Sequence, residues 1–354
     1  MIPNGRVAPP GPHHDYLGRL TMRFAVFDHN DSSGRPPATQ LAERLSLIEA
    51  YERLGYYAYQ LAEHHSTPLG IATPHLMLAA ASQRTSTIRL GTLISILPLI
   101  HPMRMIEEAA TLDQLTGGRL VLGVGRGISP IETGFHGVPG DEAQGRFDEA
   151  FEILRLGLSS DVVDFHGKYY QLESAPVVTH PVQQPMPLWY ATMTLERAQW
   201  CARLGMPMLA LVPSRRVRPL TDAYRAEWSA LGRSAEDLPA LGISRQIVIA
   251  DTNAEAMSIA NRAFLPFRDS ISHLWHKFGV PMPPVLAADT YEGIAATGHC
   301  YAGDPAGARA WVAEHAETAG VNYMSLEFCF GDMSSAEALR SAELFATEVM
   351  PAFG

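Results

Sequence analysis

The amino-acid sequence predicts an α/β fold, a (β/α)8 TIM barrel with an insertion after strand seven. Three observations predict it. Apolar runs of strand length alternate with helix-length segments through eight cycles. Those runs are rich in β-branched residues, as expected of a parallel sheet buried on both faces. No G-x-G-x-x-G run follows the first strand, and Gly123, Gly125 and Gly127 have the wrong spacing for that fingerprint, which counts against an open doubly wound sheet.

The elements follow in order. Residues 23–29 (RFAVFDH) read as the first strand. A helix over about 38–54 places Leu41, Leu45 and Ile48 on one face and stops at Gly55. Residues 57–63 are the second strand, 74–84 a helix and 88–97 the third strand. The third helix covers 103–115 and ends at Gly117-Gly118, and 119–124 is the fourth strand. A helix then covers about 143–158, and 161–187 is a long irregular crossing rich in proline. Strand five is 188–192, with its helix over 195–204. Strand six is 206–212, followed by a helix over about 220–231. Strand seven is 244–250, with a helix beginning near Asn253. Strand eight is 323–328, and the last helix runs over about 335–349 until Pro351 stops it.

One region breaks this rhythm. Before a helix at about 305–318 stands an insertion, residues 264–300, that includes FLPFRDSISHLWHKFGVPMPPVL. On the C-terminal side of a late strand a barrel carries its lid, and a surface helix with an ordered loop is the alternative. Residues 1–21, rich in proline and glycine and without the apolar core of a signal peptide, read as a loose N-terminal extension to a barrel spanning 22–354.

Composition narrows the function classes. The 354 residues are 47% hydrophobic and 18% charged, ample for a core. A net charge of −10 repels nucleic acid and anionic lipid, so neither is an expected partner. The longest apolar run, 90–100, is too short to cross a membrane and contains Pro98. Three widely separated cysteines, Cys201, Cys300 and Cys329, with no C-x-x-C, point to a reduced, cytoplasmic protein without a structural zinc site.

Four motifs can carry chemistry. The stretch 101–127, HPMRMIEEAATLDQLTGGRLVLGVGRG, reads as helix, glycine stop, strand and glycine-rich turn. In that turn Arg126 can bind two oxygens of one phosphate, and Gly125 lets a ligand approach the backbone. Thr192-Met193-Thr194 closes strand five. Thr194 can cap the following helix, whose exposed amides favour an anion, and Arg197 lies one turn in. Glu63-His64-His65 ends strand two, on the rim where barrels place catalysis. Acid–base or cofactor contact suits a histidine titrating near neutral pH. A structural histidine cluster or a metal are the alternatives, though adjacent strand residues point to opposite faces and one ion would not take all three. On strand three, Gly91, Thr92, Leu93 and Ile94 form a surface against which a flat aromatic ligand can lie, or plain barrel core.

These residues carry a resemblance. From residue 22 to 353 the chain resembles the bacterial luciferase-like flavin monooxygenases, through Glu63-His64-His65, the run LGTLISILPLIHPMRMIEEAATLDQLTGGRLVLGVGRG, GKYYQLESAPVVTHPVQQPMPLWYAT, ARLGMPML and LFATEVMPAF. The resemblance implies a (β/α)8 barrel that binds FMN, mostly as reduced FMN delivered by a separate NAD(P)H:flavin reductase. Some relatives use deazaflavin F420 instead. It implies phosphate binding by Arg126 and by the Thr194 hydroxyl position. It implies a bulge at Leu93-Ile94 that contacts the flavin ring, often through a non-prolyl cis peptide, and His64 as active-site base beside Glu63.

It also implies pairing as a homodimer through barrel helices. There are departures. Gly125 stands where luciferase has a reactive cysteine, Met193 replaces an acidic residue and leaves only its amide, and Arg197 occupies a hydroxyl position. These changes are compatible with FMN and leave light emission in doubt. The expected activity is oxygenation of a small organic molecule, apolar or carbonyl-bearing, with reduced FMN and O2. An F420-dependent oxidoreductase and a non-catalytic flavin-binding subunit are the alternatives.

Overall fold

The computed structural model describes residues 22–31, 34–282 and 288–354. The expected N-terminal extension and residues 283–287 of the expected insertion lie outside the described residues. Eight parallel strands close into a barrel. They are β1 (Arg23–Asp28), β2 (Ala58–Leu61), β3 (Arg89–Ile96), β4 (Leu120–Gly125), β7 (Leu188–Ala191), β8 (Met208–Ala210), β9 (Leu241–Ile249) and β11 (Tyr323–Glu327). They neighbour one another in that order, and β11 returns to β1 with Arg23 opposite Tyr323. The outer ring holds α1 (Pro37–Arg53), α2 (Pro74–Ser82), α3 (Pro102–Thr116), α5 (Ala143–Gly157), α6 (Leu195–Leu204), α7 (Ser214–Ala230), α8 (Asn253–Phe278), α10 (Pro305–Ala319) and α11 (Ser335–Leu344).

Strand alternation divides the core in two. Ala25, Phe27, Ala58, Leu93, Val121, Trp189, Leu209 and Tyr323 pack together inside the barrel. Their neighbours in sequence, among them Phe24, Val26, Tyr59, Leu90, Leu120 and Leu122, pack in a larger cluster with the helices. β3 and β4 approach closely. A Cβ on Gly91 would strike the Val121 carbonyl oxygen, and one on Gly123 the Thr92 carbonyl oxygen, so both positions need glycine.

Three features depart from the expected pattern. The crossing at 161–187 contains an antiparallel hairpin, β5 (Val162–His166) with β6 (Gln171–Pro176). A ninth strand of the main sheet, β10 (Cys300–Gly303), pairs with the second half of β9, whose first half pairs with β8. The helix after strand seven is continuous to Phe278, so the first part of the expected insertion extends α8 rather than forming a separate loop. Two short helices, α4 (Pro130–Phe135) and α9 (Tyr291–Ala295), lie between these elements.

Candidate active site

The C-terminal ends of the strands gather most of the predicted residues. Glu63, just past β2, is fully engaged. Its Oε1 lies 2.8 Å from His65 Nε2, and its Oε2 accepts the Ile96 N–H at 3.0 Å. It therefore ties the end of β2 to the end of β3. His64 Nδ1 lies 3.6 Å from Glu132 Oε1, and the His65 amide donates to Glu132 Oε2 at 2.8 Å. Burial pushes the Glu132 carboxyl up, but His64 and the His65 amide outweigh it and hold the group below its ordinary value. His64 and His65 thus diverge: His64 stacks on His29 at 5.5 Å, while the His65 ring meets His136 edge-on at 4.5 Å. Among the described residues no three His, Cys, Asp or Glu side chains converge as metal ligands.

Between Thr92 and Ser95 the pairing of β3 with β4 shifts register, and the Leu93-Ile94 peptide within that bulge is cis. Thr92 Oγ1 donates to the Gly123 carbonyl at 2.8 Å and accepts from the Ser95 hydroxyl at 3.0 Å, which pins the bulge. The Ile94 side chain occupies the space where Gly125 would otherwise place a Cβ.

Arg126 and Thr194 leave adjacent strands, since Val124 pairs with Tyr190. Burial pushes the Tyr190 phenol up, and the guanidinium charges of Arg197 and Arg126 both pull it back, so the two cations share this side of the rim. Thr194 caps α6, its hydroxyl accepting the Arg197 N–H at 3.4 Å. Arg197 itself is spoken for: it pairs with Asp148 at 2.7 Å and lies over the Trp200 ring at 5.2 Å. Arg126 is exposed and makes no ion pair among the described residues. Met193, next to Thr194 in sequence, is exposed.

Sequence reasoning missed part of the mouth. Glu132 sits in α4, a single turn and a half that carries no periodic signal. His29, just past β1, and Glu327, the last residue of β11, lie 2.7 Å apart. Their position on the rim was a signal available in the sequence, but His29 stands in the polar run Asp28–Asp31 and Glu327 between Leu326 and Phe328, and neither forms a motif. The far half of α8 covers this side. Phe267 meets the His29 ring edge-on at 5.4 Å, the Thr67 hydroxyl donates to the Ser270 carbonyl at 2.7 Å, and Phe278 packs on Phe135. Ile271, Leu274 and Trp275 close with Leu69 and Ile128 over His64 around a cavity of only about 10 Å³.

With this geometry in view, likeness to known proteins becomes specific. Residues 22–323 match the family described as luciferase-like monooxygenase. The uncharacterized protein y4wF of Sinorhizobium fredii is 37% identical over 335 residues, covering 94% of this chain and 98% of that protein. The oxygenase component of the flavin-dependent trigonelline monooxygenase of Acinetobacter baylyi is 26% identical over 248 residues, 68% of each chain. The crystal structure of the monooxygenase RslO1 from Streptomyces bottropensis superposes with a TM-score of 0.84 at 25% identity, covering 94% of this chain and all (100%) of that one. The family match spans every barrel strand, in whole or in its first residue, and the chain belongs to the luciferase-like monooxygenase family.

Proposed function

We propose that this protein is the oxygenating component of a two-component, FMN-dependent monooxygenase. The observation that carries the reading is Arg126: an exposed guanidinium without an ion-pair partner among the described residues, next to the N-terminus of α6 and one strand from the Leu93-Ile94 bulge. An uncompensated cation beside a helix start fits a phosphate, and a pinned, bulged strand fits a flat ring. When bound, reduced FMN supplies two electrons to O2, so that one oxygen atom enters the substrate and the other leaves as water.

The chain's own residues divide the remaining tasks. Arg126, the Met193 amide and the capped start at Thr194 hold the phosphate, with Arg197 stiffened by Asp148 behind them. Thr92, Leu93, Ile94 and Gly125 back the ring. His64, steadied by Glu132, holds or releases a proton at the mouth, and Glu63 positions the strand ends on either side. The apolar side chains of α8 exclude water and favour a small apolar or carbonyl substrate. A separate NAD(P)H:flavin reductase is the expected partner, by analogy with the relative whose name marks it as an oxygenase component. A homodimer through α2 and α3 is the expected assembly.

Arg126→Ala tests this reading. Loss of a charge-assisted contact worth about 1.5–3 kcal/mol weakens binding roughly 10- to 100-fold. Titration followed by flavin fluorescence is expected to show that loss for FMN and no change for riboflavin, which lacks the phosphate. Equal loss for both flavins removes Arg126 from phosphate binding. Preference of the unmodified protein for F420, with no oxygen uptake, overturns the monooxygenase assignment.

A further inference from the structure

Across the barrel ring from β4 and β7, the consecutive strands β9, β11 and β1 carry a polar group that the tasks above leave unused. Glu327 ends β11 opposite Gln246 of β9 and is buried. One of its oxygens lies 2.7 Å from His29 Nδ1, and the other accepts from Gln246 Nε2 at 2.9 Å. With both oxygens engaged the carboxylate is fixed in place. An ionised carboxylate at that distance requires a proton on Nδ1, which leaves Nε2 as the exchangeable nitrogen. The ring is fixed as well, stacked on His64 and held edge-on by Phe27 and Phe267. Gln246 Oε1 is a buried acceptor with no hydrogen-bond partner among the described residues.

We infer that His29, oriented by Glu327 and Gln246, is a second proton carrier of this site and works beside His64. The inference rests on the monooxygenase reading and extends it. Two stacked imidazoles repel when both are charged, unless each has its own anion. Here His29 has Glu327 and His64 has Glu132. The other charged groups facing His29 are Asp28 and Asp31 on its own strand and loop, while α8 contributes the uncharged Phe267. Burial alone would lower the His29 pKa, but the Glu327 carboxylate, joined by the charges of Asp28 and Asp31, outweighs it and raises it. A histidine–carboxylate pair kept merely as a strut gains little over apolar packing. At a mouth already furnished with one histidine, a second with its own carboxylate lets one proton be held while another moves. Nε2 accepts one of the two protons that reduced FMN gives up on oxidation and returns it to the oxygen atom that leaves as water, so His29 ends the cycle as it began and reduced FMN supplies both hydrogens of that water.

Two conservative variants, His29→Gln and Glu327→Gln, test the inference with two independent readouts. In cofactor-free protein, imidazole NMR titration identifies the His29 signal by its loss in His29→Gln. Glu327→Gln is expected to lower its midpoint by about one pH unit or more. In single-turnover oxidation of bound reduced FMN by O2, both variants are expected to keep reduced-FMN affinity within about threefold and to slow the return of oxidised flavin by roughly 100-fold. The pH–rate profile should lose the limb whose midpoint matches His29. An unmoved NMR midpoint in Glu327→Gln, an unchanged pH profile, or flavin affinity lost in step with rate each overturns the inference. If a variant does not fold, the unmodified protein decides: a His29 midpoint at or below the ordinary imidazole value overturns it. If the unmodified protein neither binds reduced FMN nor takes up O2, the monooxygenase reading fails, and the NMR arm alone then decides whether the pair exists.

Discussion

Glu132 shows how much of this site lies in partners rather than in motifs. The sequence marks His64 and His65 by their place at a strand end, but the carboxylate that receives both stands 67 residues beyond His65. His29 and Glu327 are separated by 298 residues and become neighbours only when the last strand closes on the first. Single residues with local signatures were legible: the cap at Thr194, the lone cation at Arg126 and the histidines at the rim. Their partners were not, because nothing local distinguishes a buried carboxylate from a surface one. Glu132 also sets a pH dependence. Its folded-state pKa is depressed, so its contribution to stability is present above the ordinary carboxylate value and fades as pH falls through the lower folded-state value. Replacing it by glutamine leaves His64 and the His65 amide with a weaker acceptor. The expected cost is about 1–3 kcal/mol near neutral pH, narrowing as the medium is acidified. Urea unfolding of both proteins across that range checks it, and a constant difference at all pH values would remove the assigned cause.

Among the elements, α8 decides how closed the mouth is, and its seat rests on one glycine. Gly331 lies in the turn after β11 at a φ of 56°, and a Cβ there would strike the Ala263 carbonyl of α8. Both the left-handed backbone and the close approach demand glycine. Gly331→Ala is therefore expected to destabilise the protein by about 2–4 kcal/mol and to loosen the far half of α8. Denaturant unfolding measures the first, and faster hydrogen exchange between Phe264 and Phe278 the second. A variant of full stability would mean that α8 is not seated by this contact. The reach of α8 was hard to read because Pro266 stands inside it, where proline ordinarily ends a helix. The β5–β6 hairpin escaped for a different reason. Its strands lie outside the barrel and are largely exposed, so QLESAP carries no apolar face to reveal it. β10 is four residues long and ends in glycine. Most barrel strands were legible because burial on both faces favours apolar runs, although β9 keeps the buried polar trio Ser244, Arg245 and Gln246 at its centre.

At the scale of the whole molecule, one flank of the barrel is unlike the rest. Between α2 and α3 runs a groove of about 640 Å³ that reaches Glu63, His65 and His136 at the mouth; Leu76, Leu99, Ile100, Leu112 and Leu115 line it together with the charged side chains of Arg104, Glu107 and Glu108. Leu76 is 71% and Leu115 45% exposed, a poor arrangement in water for a helix surface that is left bare. The flank is braced from within: His75 of α2 lies 2.6 Å from Glu108 of α3, which also accepts from Arg104 at 2.6 Å, so the two helices present a rigid face. A second copy of the chain would offer the same face, and the proposed two-fold pairing would place each groove against the other's leucines. Burying a leucine contributes about 1.5–3 kcal/mol. Leu76→Glu removes that contribution and places a like charge on each side of the axis. Sedimentation velocity over a concentration series is expected to show a dimer for the unmodified protein and self-association at least about 100-fold weaker for the variant. Because Leu76 makes so little contact within its own chain, the unfolding temperature of the isolated variant should hardly move beyond the loss due to dissociation itself. An unmodified protein that stays monomeric throughout the series, or a variant that pairs as before, would place the dimer contact elsewhere or remove it.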